Sequence, residues 1–519
     1  MDLHQLLMDI ANYPDETGPV QFRETHISRL YLTREHVYKI KKPVDFGFLD
    51  FTTLEKRRHF CEEELRLNRR FAGESSPYLN VLPLGIRGKN LTFDGSGETV
   101  DYAVLIRRLP ADRMLDYLLE SDSPELETLI DQLSPLLSRI HAKAPVVFQD
   151  DALGPDAEIV TRNWRENFEQ TAPFAGQIIP ENGLAASRSA IERFIEEQKP
   201  LLQRRQEEGF VREVHGDLHS EHICFTEPVQ IYDCIEFNRH FRTSDILCDL
   251  AFLLMDLKAR KRRDLAQRLL DGYRSHRDCG PGADTLIPFY EAYRAWVRGK
   301  VAGFAMAQQP EGSAAREEQQ ILARSYLNLA MGSLAPPFLV LTCGLMGSGK
   351  SVVARRLCEA TGALYLRSDE IRKELAGLAP QTKVAIAFGT GIYSSAASDH
   401  TYQIMLERAE EALRQGRSVV VDAAFAQIAR REPFFRLGQQ LEVPTRLVHL
   451  VCDDATLRAR LLRREAKGTN ISDGRLELLD EQRRAFEPVG GEALELDTHL
   501  ERNEKVGLVL GDILEEAHL

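Results

Sequence analysis

The sequence has no C-x-x-C pair among its eight cysteines, which stand at positions 61, 224, 234, 248, 279, 343, 358 and 452. Such pairs supply most structural zinc sites, so their absence argues against a zinc-stabilised fold. Several of these cysteines lie within apolar runs, where a thiol acts as a small core side chain. We therefore expect reduced thiols and a cytoplasmic location.

The chain also lacks the sequence features of export and of membrane insertion. Residues 1–5 carry neither a basic start nor a long apolar core, so we expect no signal peptide. No charged residue lies between Arg324 and Lys350, and this length could span a bilayer. The pair Pro336-Pro337 interrupts the stretch, which is better explained by a helix end, a linker and a buried strand. We expect no membrane partner.

An excess of basic residues is missing as well. The 519 residues include 66 Lys and Arg against 79 Asp and Glu, which gives a net charge of −13. A broad nucleic-acid-binding face needs the opposite balance. The net charge does not exclude a local basic pocket, and it does not exclude a polynucleotide 5′-end as the substrate. The oligomeric state cannot be read from the sequence.

The two halves of the chain differ in their pattern of secondary structure. Residues 1–110 mix strand-like runs with one long amphipathic helix, and strands alternate with helices from Phe338 onward. Between them, residues 111–210 and 258–331 look mostly helical, and residues 211–257 form a compact region that contains motifs. This alternation predicts a parallel sheet with right-handed crossovers. We predict an α+β domain over residues 1–335 and an α/β domain over residues 336–519, each able to fold alone.

The second half carries a phosphate-loop motif. The run Gly344-Leu-Met-Gly-Ser-Gly-Lys-Ser351 fills every fixed position of G-x-x-x-x-G-K-[ST], between a strand-like run and a helical pattern. Backbone N–H groups of such a loop face phosphates, while the lysine reaches the β- and γ-phosphates and the last serine holds Mg²⁺. The predicted nucleotide-binding residues are Gly344, Gly347, Ser348, Gly349, Lys350, Ser351 and Val352.

Other candidate residues follow the loop. Asp369 comes after the next strand-like run, so we predict that it accepts the proton of a substrate hydroxyl; the alternative is a helix N-cap. Asp422 ends the run Val419–Val421 and is predicted to contact magnesium or its water. A basic segment follows, with Arg458, Arg460, Arg463 and Arg464. It is either a lid that brings Arg460 and Arg464 to the transferring phosphate or a solvated helix face.

The first half carries the residues of a different phosphoryl-transfer site. A protein-kinase-like site pairs a strand Lys with a helix Glu and adds a catalytic Asp and a metal-binding Asp. Here these are Lys39, Glu64, Asp217 in a His-Gly-Asp run, and Asp233 sixteen residues later. Lys41 lies on the same strand face as Lys39, so the sequence leaves open which lysine contacts the phosphates.

Two family resemblances rest on these residues. Residues 20–310 resemble the aminoglycoside-phosphotransferase-like family, of protein-kinase-like fold, through the runs 215–219 and 249–251 and through Asp233. Residues 337–515 resemble P-loop kinases of the zeta-toxin and polynucleotide-kinase type. The residues that carry this second resemblance are the phosphate loop, Ser368-Asp369-x-x-Arg372, Val421-Asp422 and the basic segment.

The sequence departs from the first family at two places. His222 stands where that family has an Asn that binds magnesium, so we predict His222 as a metal ligand, with Glu221 or a different metal as alternatives. Residues 24–28 occupy the place of a glycine-rich loop.

The whole layout is similar to a bacterial group labelled bifunctional aminoglycoside phosphotransferase/ATP-binding protein. The resemblance implies a kinase that uses ATP and Mg²⁺ to phosphorylate a hydroxyl of a small molecule, sugar or nucleotide at the P-loop domain, with the first domain as a second kinase. Two alternatives stay open. The first domain is a pseudokinase that regulates the other, or the protein is an ATP-hydrolysing switch that docks a partner.

Overall fold

A computed structural model describes residues 2–13, 16–47, 49–149, 151, 153–154, 156–379, 381–382, 390–467, 479–491 and 493–517, without the side chains of residues 74 and 464–467. The chain divides into two compact units. The first unit comprises residues 1–160 and 198–290, and the second comprises residues 161–197 and 291–519.

The first 143 residues form a sheet with flanking helices. The elements are α1 (Leu3–Met8), β1 (Gln21–Glu24), β2 (Ser28–Leu32), β3 (His36–Lys41), α2 (Leu54–Ala72), β4 (Tyr78–Arg87), β5 (Asn90–Thr92), β6 (Glu98–Arg107), α3 (Leu115–Glu120) and α4 (Leu126–Lys143). The six strands pair antiparallel in the order β1-β2-β3-β6-β4-β5. Helix α2 begins at the N-cap Thr53, whose side chain accepts the N–H of Lys56.

Strand alternation gives the sheet one apolar face and one face with buried charges. Tyr38 and Ile40 of β3 join a core with Leu84 and Ala103. The intervening residues of β3 point to the opposite face. Helix α2 contacts β4 and β6, and its Cys61 packs with Tyr78 and Val104. The amphipathic helix and the strand predicted from the sequence therefore lie against each other.

Residues 156–307 are mostly helical. The elements are α5 (Asp156–Thr171), α6 (Glu181–Glu207), β7 (Val211–Glu213), β8 (Ile223–Cys224), β9 (Gln230–Ile231), α7 (Arg239–Arg242), β10 (Thr243–Asp245), α8 (Ile246–Ala259), α9 (Arg263–His276) and α10 (Ala283–Ala307). Every residue of α8 from Ile246 to Leu257 is buried, including Asp249 and Asp256. Such carboxylates are held in a core only when they are hydrogen-bonded, and both accept backbone N–H groups of the loop that precedes β8.

The rest of the chain alternates strands with helices. The elements are α11 (Ala314–Leu334), β11 (Leu339–Cys343), α12 (Lys350–Thr361), β12 (Leu364–Arg367), α13 (Ser368–Leu375), α14 (Ser395–Arg414), β13 (Val419–Asp422), α15 (Ile428–Leu441), β14 (Thr445–Val451), α16 (Asp454–Lys467), α17 (Leu479–Arg484), β15 (Leu494–Asp497) and α18 (Arg502–Glu516).

The predicted parallel sheet is present in the second unit. Its five strands run parallel in the order β12-β13-β11-β14-β15. In this register Asp422 is paired with Arg367 on one side and with Thr342 on the other. Because parallel strands end at the same edge, the residues that follow β11, β12 and β13 meet there. The predicted fold class, an α+β kinase-like unit followed by an α/β P-loop domain, is confirmed.

The division into units does not coincide with the predicted boundary at residue 335. Helix α11 belongs to the second unit, where it packs against α18: Asn328 donates to the backbone oxygen of Asn503, and Arg324 lies 3.0 Å from Glu504. The proline pair ends α11, but it does not decide which unit the helix packs on. The charge-free stretch divides into the end of α11, the prolines and β11, and no helix of the described residues is long and apolar enough to cross a membrane.

This packing predicts different stabilities for two fragments of the second unit. Residues 336–519 lack α11, so they expose the face of α18 that the helix covers. We expect this fragment to melt at least ~5 °C below residues 312–519, because a loss of a few kcal/mol shifts the Tm of a domain of this size by that amount. Thermal unfolding followed by circular dichroism measures the difference. Equal melting temperatures would show that α11 adds nothing to the P-loop sheet.

Candidate active sites

The first candidate site begins with two lysines that share one carboxylate. Glu64 of α2 has a fully buried side chain, and its Oε1 and Oε2 lie 2.8 Å from Nζ of Lys39 and of Lys41. Burial alone would raise the pKa of Glu64, but the two ammonium groups outweigh it and lower that pKa. The predicted lysine–glutamate pair is therefore formed, with a second lysine added.

The second partner of each lysine distinguishes the two. Lys39 Nζ lies 2.6 Å from Oδ1 of Asp233, a carboxylate that is 37% exposed. Lys41 is fully buried, and its other partner is the buried Glu236. Lys39 therefore faces the opening of the site, while Lys41 belongs to an internal ion pair. Sequence reasoning missed Glu236; its only signal is its position three residues after Asp233.

This difference predicts distinct effects of Lys39→Met and Lys41→Met. Removing Lys41 leaves the buried Glu236 without its cation, so we expect a loss of about 3–5 kcal/mol in unfolding free energy. Lys39→Met is expected to cost less, because Asp233 stays hydrated, and to weaken nucleotide binding to this unit instead. Urea unfolding and binding of a fluorescent ATP analogue, both in a Lys350→Ala background, separate the effects. The reverse pattern would assign the phosphate contact to Lys41.

Helix α8 and His215 fix the loop that carries Asp217. The Asp249 carboxylate accepts the backbone N–H groups of His215 and Gly216, at 3.3 and 2.8 Å. The His215 ring donates from Nε2 to the backbone oxygen of Tyr232, and its Nδ1 accepts the N–H of Asp217. Burial lowers the pKa of His215 to about 4, so the ring is neutral at pH 7. These contacts hold Asp217 at a set place and orientation.

His222 lies between the two aspartates of the site. Its Nδ1 is 3.6 Å from Oδ2 of Asp217, and its Nε2 is 3.6 Å from Oδ2 of Asp233. Burial opposes ionisation of Asp217, but the neighbouring rings of His219 and His222 hold its pKa well below the usual range. His222 thus lies beside both aspartates, and its role as a metal ligand stays a prediction.

Asp233 is held in a strained backbone conformation. Its φ of +64° is in the left-handed region, which costs free energy for a residue with a Cβ. The hydroxyl of the buried Tyr78 accepts its N–H, and Asn68 of α2 accepts the N–H of Cys234. The strain therefore aims the Asp233 side chain at Lys39 and His222.

An ordinary hairpin turn stands in place of a glycine-rich loop. Strands β1 and β2 pair from Gln21 to Leu32, and Thr25 Oγ1 accepts the N–H of Ser28. His26 at the tip is exposed. This confirms the predicted departure: the turn has no glycine to let its backbone approach a phosphate closely.

The second candidate site is the loop between β11 and α12. Gly344 has a φ of +137°, and a Cβ on it would lie 2.8 Å from the backbone oxygen of Leu450, so a glycine is required. Lys350 Nζ bridges the loop, 2.8 Å from the backbone oxygens of Gly344 and Leu345. The Ser348 hydroxyl is buried and has no hydrogen-bond partner among the described residues. An orphaned hydroxyl beside a bridging ammonium is suited to an anion.

Helix α12 starts at the end of this loop. Ser351 lies in its first turn and is partly buried, while Val352 is 38% exposed. The backbone N–H groups at a helix start have no partner within the helix and carry partial positive charge. The predicted loop residues from Gly344 to Val352 therefore stand on the strand–loop–helix unit that the motif requires.

Asp422 is buried at the edge of the sheet beside the loop. Its Oδ2 accepts the hydroxyl of Tyr365 at 2.7 Å, its Oδ1 accepts that of Thr342 at 3.3 Å, and Arg367 Nε is 3.7 Å away. Burial and the Asp422 charge raise the pKa of Tyr365, so it stays a hydrogen-bond donor. Tyr365 and Arg367, which sequence reasoning did not single out, orient this carboxylate.

Asp369 is not the N-cap of its helix. Helix α13 begins at Ser368 with Arg367 at the cap, and no side chain caps it. Asp369 is partly exposed at the second helical position, and within the described residues its side chain makes no hydrogen bond or ion pair. The N-cap alternative is therefore wrong, and the carboxylate remains available to a ligand; its role as a base stays a prediction.

The arginines of α16 do not act alike. Arg460 NH1 donates to the backbone oxygen of Gly347, at 3.3 Å, so its guanidinium lies against the phosphate loop. Arg458 pairs on the surface with Asp454 and Asp480. Arg463 is exposed, and the side chain of Arg464 lies outside the described residues. The lid interpretation is supported at Arg460 and the solvated-face interpretation at Arg458.

The chain matches two family models, one in each half. Residues 49–284 match the model of the phosphotransferase enzyme family, and residues 339–489 match a model described as an AAA domain. An uncharacterized protein of Mycobacterium tuberculosis is 31% identical over 409 residues, which is 78% of each chain. The chain belongs to this family, in which an aminoglycoside-phosphotransferase-like domain precedes a P-loop kinase domain. The family predicted from the sequence is confirmed.

Solved structures similar to each part of this two-domain protein are distant. An aminoglycoside phosphotransferase solved with ADP is 13% identical, with 63% of this chain and 98% of that chain covered and a TM-score of 0.37. A gluconokinase from Sinorhizobium meliloti is 19% identical, with 35% and 95% covered and a TM-score of 0.26. The matched ranges of the two family models include Glu64, Asp217 and Asp233 in the first and the phosphate loop, Asp369 and Asp422 in the second.

Proposed function

We propose that this protein is an ATP-dependent phosphotransferase whose P-loop domain phosphorylates a hydroxyl of a small molecule, sugar or nucleotide. The observation that carries the proposal is the position of Lys350 across the phosphate loop, next to the orphaned Ser348 hydroxyl. The ammonium of Lys350 donates to two backbone oxygens of the loop. A bound β,γ-phosphate pair would replace these oxygens as its partner, so the charge is already in position.

Each residue of this site has a distinct part in the proposed transfer. The loop N–H groups and Lys350 bind the β- and γ-phosphates, and Arg460, which donates to the backbone oxygen of Gly347, adds positive charge beside the loop. Asp369 accepts the proton of the acceptor hydroxyl as its oxygen attacks the γ-phosphorus and the bond to the β-phosphate oxygen breaks. ADP leaves with the electrons of that bond. The products are ADP and the phosphorylated acceptor.

The oxygen donors of the P-loop domain fit Mg²⁺. Ser351 supplies a hydroxyl and Asp422 a carboxylate, and Mg²⁺ prefers such donors together with water and phosphate oxygens. Asp422 is oriented by Tyr365 and Thr342, so it is suited to hold a magnesium-bound water. When bound, the ion would neutralise charge on the transferring phosphate. ATP and Mg²⁺ are accordingly the cofactors we propose.

A second phosphotransferase activity in the first domain is supported by the Lys39–Glu64–Asp233 chain of ion pairs. This is the arrangement that a protein-kinase-like site needs for its α- and β-phosphates, with Asp217 placed to accept a hydroxyl proton. The alternatives are a pseudokinase domain that regulates the P-loop kinase, and an ATP-hydrolysing switch that docks a partner.

A panel of acceptors with γ-labelled ATP tests the proposal. Sugars, sugar acids, nucleosides and an oligonucleotide with a free 5′-hydroxyl are incubated with the full-length protein, and labelled products are separated. We expect one acceptor class to gain label and to stimulate ADP release. Label transfer that persists in Lys350→Ala but is lost in Asp217→Asn would place the reaction in the first domain. ADP release without any labelled acceptor would favour the switch.

A further inference from the structure

Three side chains with metal-binding atoms cluster in the first domain, and Asp233 lies beside one of them. One ligand atom from each of Asp217, His219 and His222 lies within 4.8 Å of the other two. Oδ2 of Asp217 is 3.5 Å from His219 Nε2, and Oδ2 of Asp233 is 3.6 Å from His222 Nε2. Donors bound to one ion at ~2.1 Å in a tetrahedron lie about 3.4 Å apart. The separations are therefore close to those of a filled site.

The orientation of the His222 ring points to a cation between it and Asp233. Nδ1 of His222 lies 2.8 Å from the backbone oxygen of Asp217, and a carbonyl oxygen only accepts, so Nδ1 carries the hydrogen. Nε2 then keeps its lone pair and faces Oδ2 of Asp233. Two lone-pair donors at this separation repel each other unless a positive ion lies between them. Oδ1 of Asp233 is bound to Lys39, so Oδ2 is the oxygen left for such an ion.

The surrounding residues hold the imidazoles in place. His219 is 3% exposed, and its ring contacts Phe252 of α8 and His222, with centroids 5.4 and 4.1 Å apart. Glu221 does not compensate for the missing asparagine. Its carboxylate is 47% exposed and lies 3.8 Å from Arg260. The donor set is thus two imidazoles and two carboxylates.

This donor set does not fit the Mg²⁺ that the family implies. Mg²⁺ is bound in proteins by oxygen atoms in near-octahedral geometry, whereas imidazole nitrogen favours first-row transition ions. We propose that the phosphotransferase-like domain binds a divalent transition metal ion, such as Mn²⁺ or Zn²⁺, in place of Mg²⁺, through Asp217, His219, His222 and Asp233. This metal site lies in the first domain, so the proposal does not depend on the activity proposed for the P-loop domain.

Metal titrations without nucleotide test this inference in the full-length protein. Ser351→Ala is included throughout to weaken metal binding at the P-loop, and Mn²⁺, Co²⁺ and Mg²⁺ are each titrated by calorimetry. We expect His222→Asn to weaken Mn²⁺ and Co²⁺ binding about tenfold or more while Mg²⁺ binding stays equal or improves. His499→Asn is the matched control, because it removes an exposed imidazole that pairs with Asp453 in the second unit. It should change nothing.

Selectivity rather than affinity decides the outcome, since most sites prefer transition ions to Mg²⁺. The proposal would be overturned if the ratio of Mn²⁺ affinity to Mg²⁺ affinity were unchanged in His222→Asn. It would also be overturned if His499→Asn lost Mn²⁺ binding. Pulsed electron paramagnetic resonance of the Mn²⁺ form needs no His222 variant. We expect hyperfine coupling between the Mn²⁺ electron spin and imidazole nitrogen, and its absence would also overturn the proposal. Because no phosphate is transferred in these measurements, their failure would leave the proposed kinase activity standing.

Discussion

Replacing Lys350 with alanine is expected to lower ATP turnover by about 10²- to 10³-fold, the effect of removing one charge-stabilising group from a preorganised site. The side chain bridges the loop through the backbone oxygens of Gly344 and Leu345, and no other ammonium among the described residues has these partners. Phosphate charge that develops during transfer would lose its nearest cation. ADP release measured with a coupled assay gives the turnover.

The control for this variant is Lys89→Ala, which removes an exposed lysine from the turn between β4 and β5. It should leave turnover unchanged. Thermal unfolding of both variants distinguishes loss of chemistry from loss of the fold, since Lys350 also ties the loop together. Undiminished ATP consumption in a folded Lys350→Ala variant would mean that the P-loop is not the main catalyst. The Lys39 and Asp217 site would then become the leading candidate.

The sequence predicts the arrangement of those candidate residues whose positions are set by a regular helix or strand. Strand alternation put Lys39 and Lys41 on one face, and helical spacing put Glu64 on the inward face of α2; the structure joins all three. The phosphate loop and Asp422 follow similarly from strand ends in a parallel sheet. In each case a local period determines where the side chain points.

The sequence did not predict the contacts that depend on irregular backbone. The segment from residue 215 to 236, which includes the short strands β8 and β9, is held by Asp249 of α8 and by Asn68 of α2, which are distant in sequence. Its turns bring His219 to Asp217 and Glu236 to Lys41. No periodic pattern encodes these distances, because they arise from tertiary packing.

The packing of α11 shows a similar limit. The proline pair after α11 ends the helix, and this end can be predicted from the local sequence alone. Which unit that helix packs on depends on complementary faces: Gly507 of α18 lies beneath Asn328, and Gly332 lies against α12. Small residues at these positions allow the helices to approach closely, but a glycine within a helix does not indicate which element will pack against it.

The choice between a catalytic base and a structural carboxylate at Asp369 can be settled by one substitution. Asp369→Asn keeps the size of the side chain and removes its basicity, so we expect phosphate transfer to fall by about 10²- to 10⁴-fold. ATP binding should be unchanged, because the phosphate loop is intact. The measurement compares labelled acceptor formed per minute with the Kd of an ATP analogue.

Glu370→Gln is the matched control for this variant. It removes the neighbouring carboxylate of the same helix turn, which lies 3.4 Å from Arg367 and has a partner of its own. It should leave transfer close to the wild-type rate. If Asp369→Asn transfers phosphate as fast as Glu370→Gln, a hydroxyl proton is not passed to Asp369. Because Asp369 is not the cap of α13, a structural role would then have to come from its negative charge near the start of the helix. In that case Asp369→Asn would lower the unfolding free energy of the protein and leave the rate of phosphate transfer unchanged.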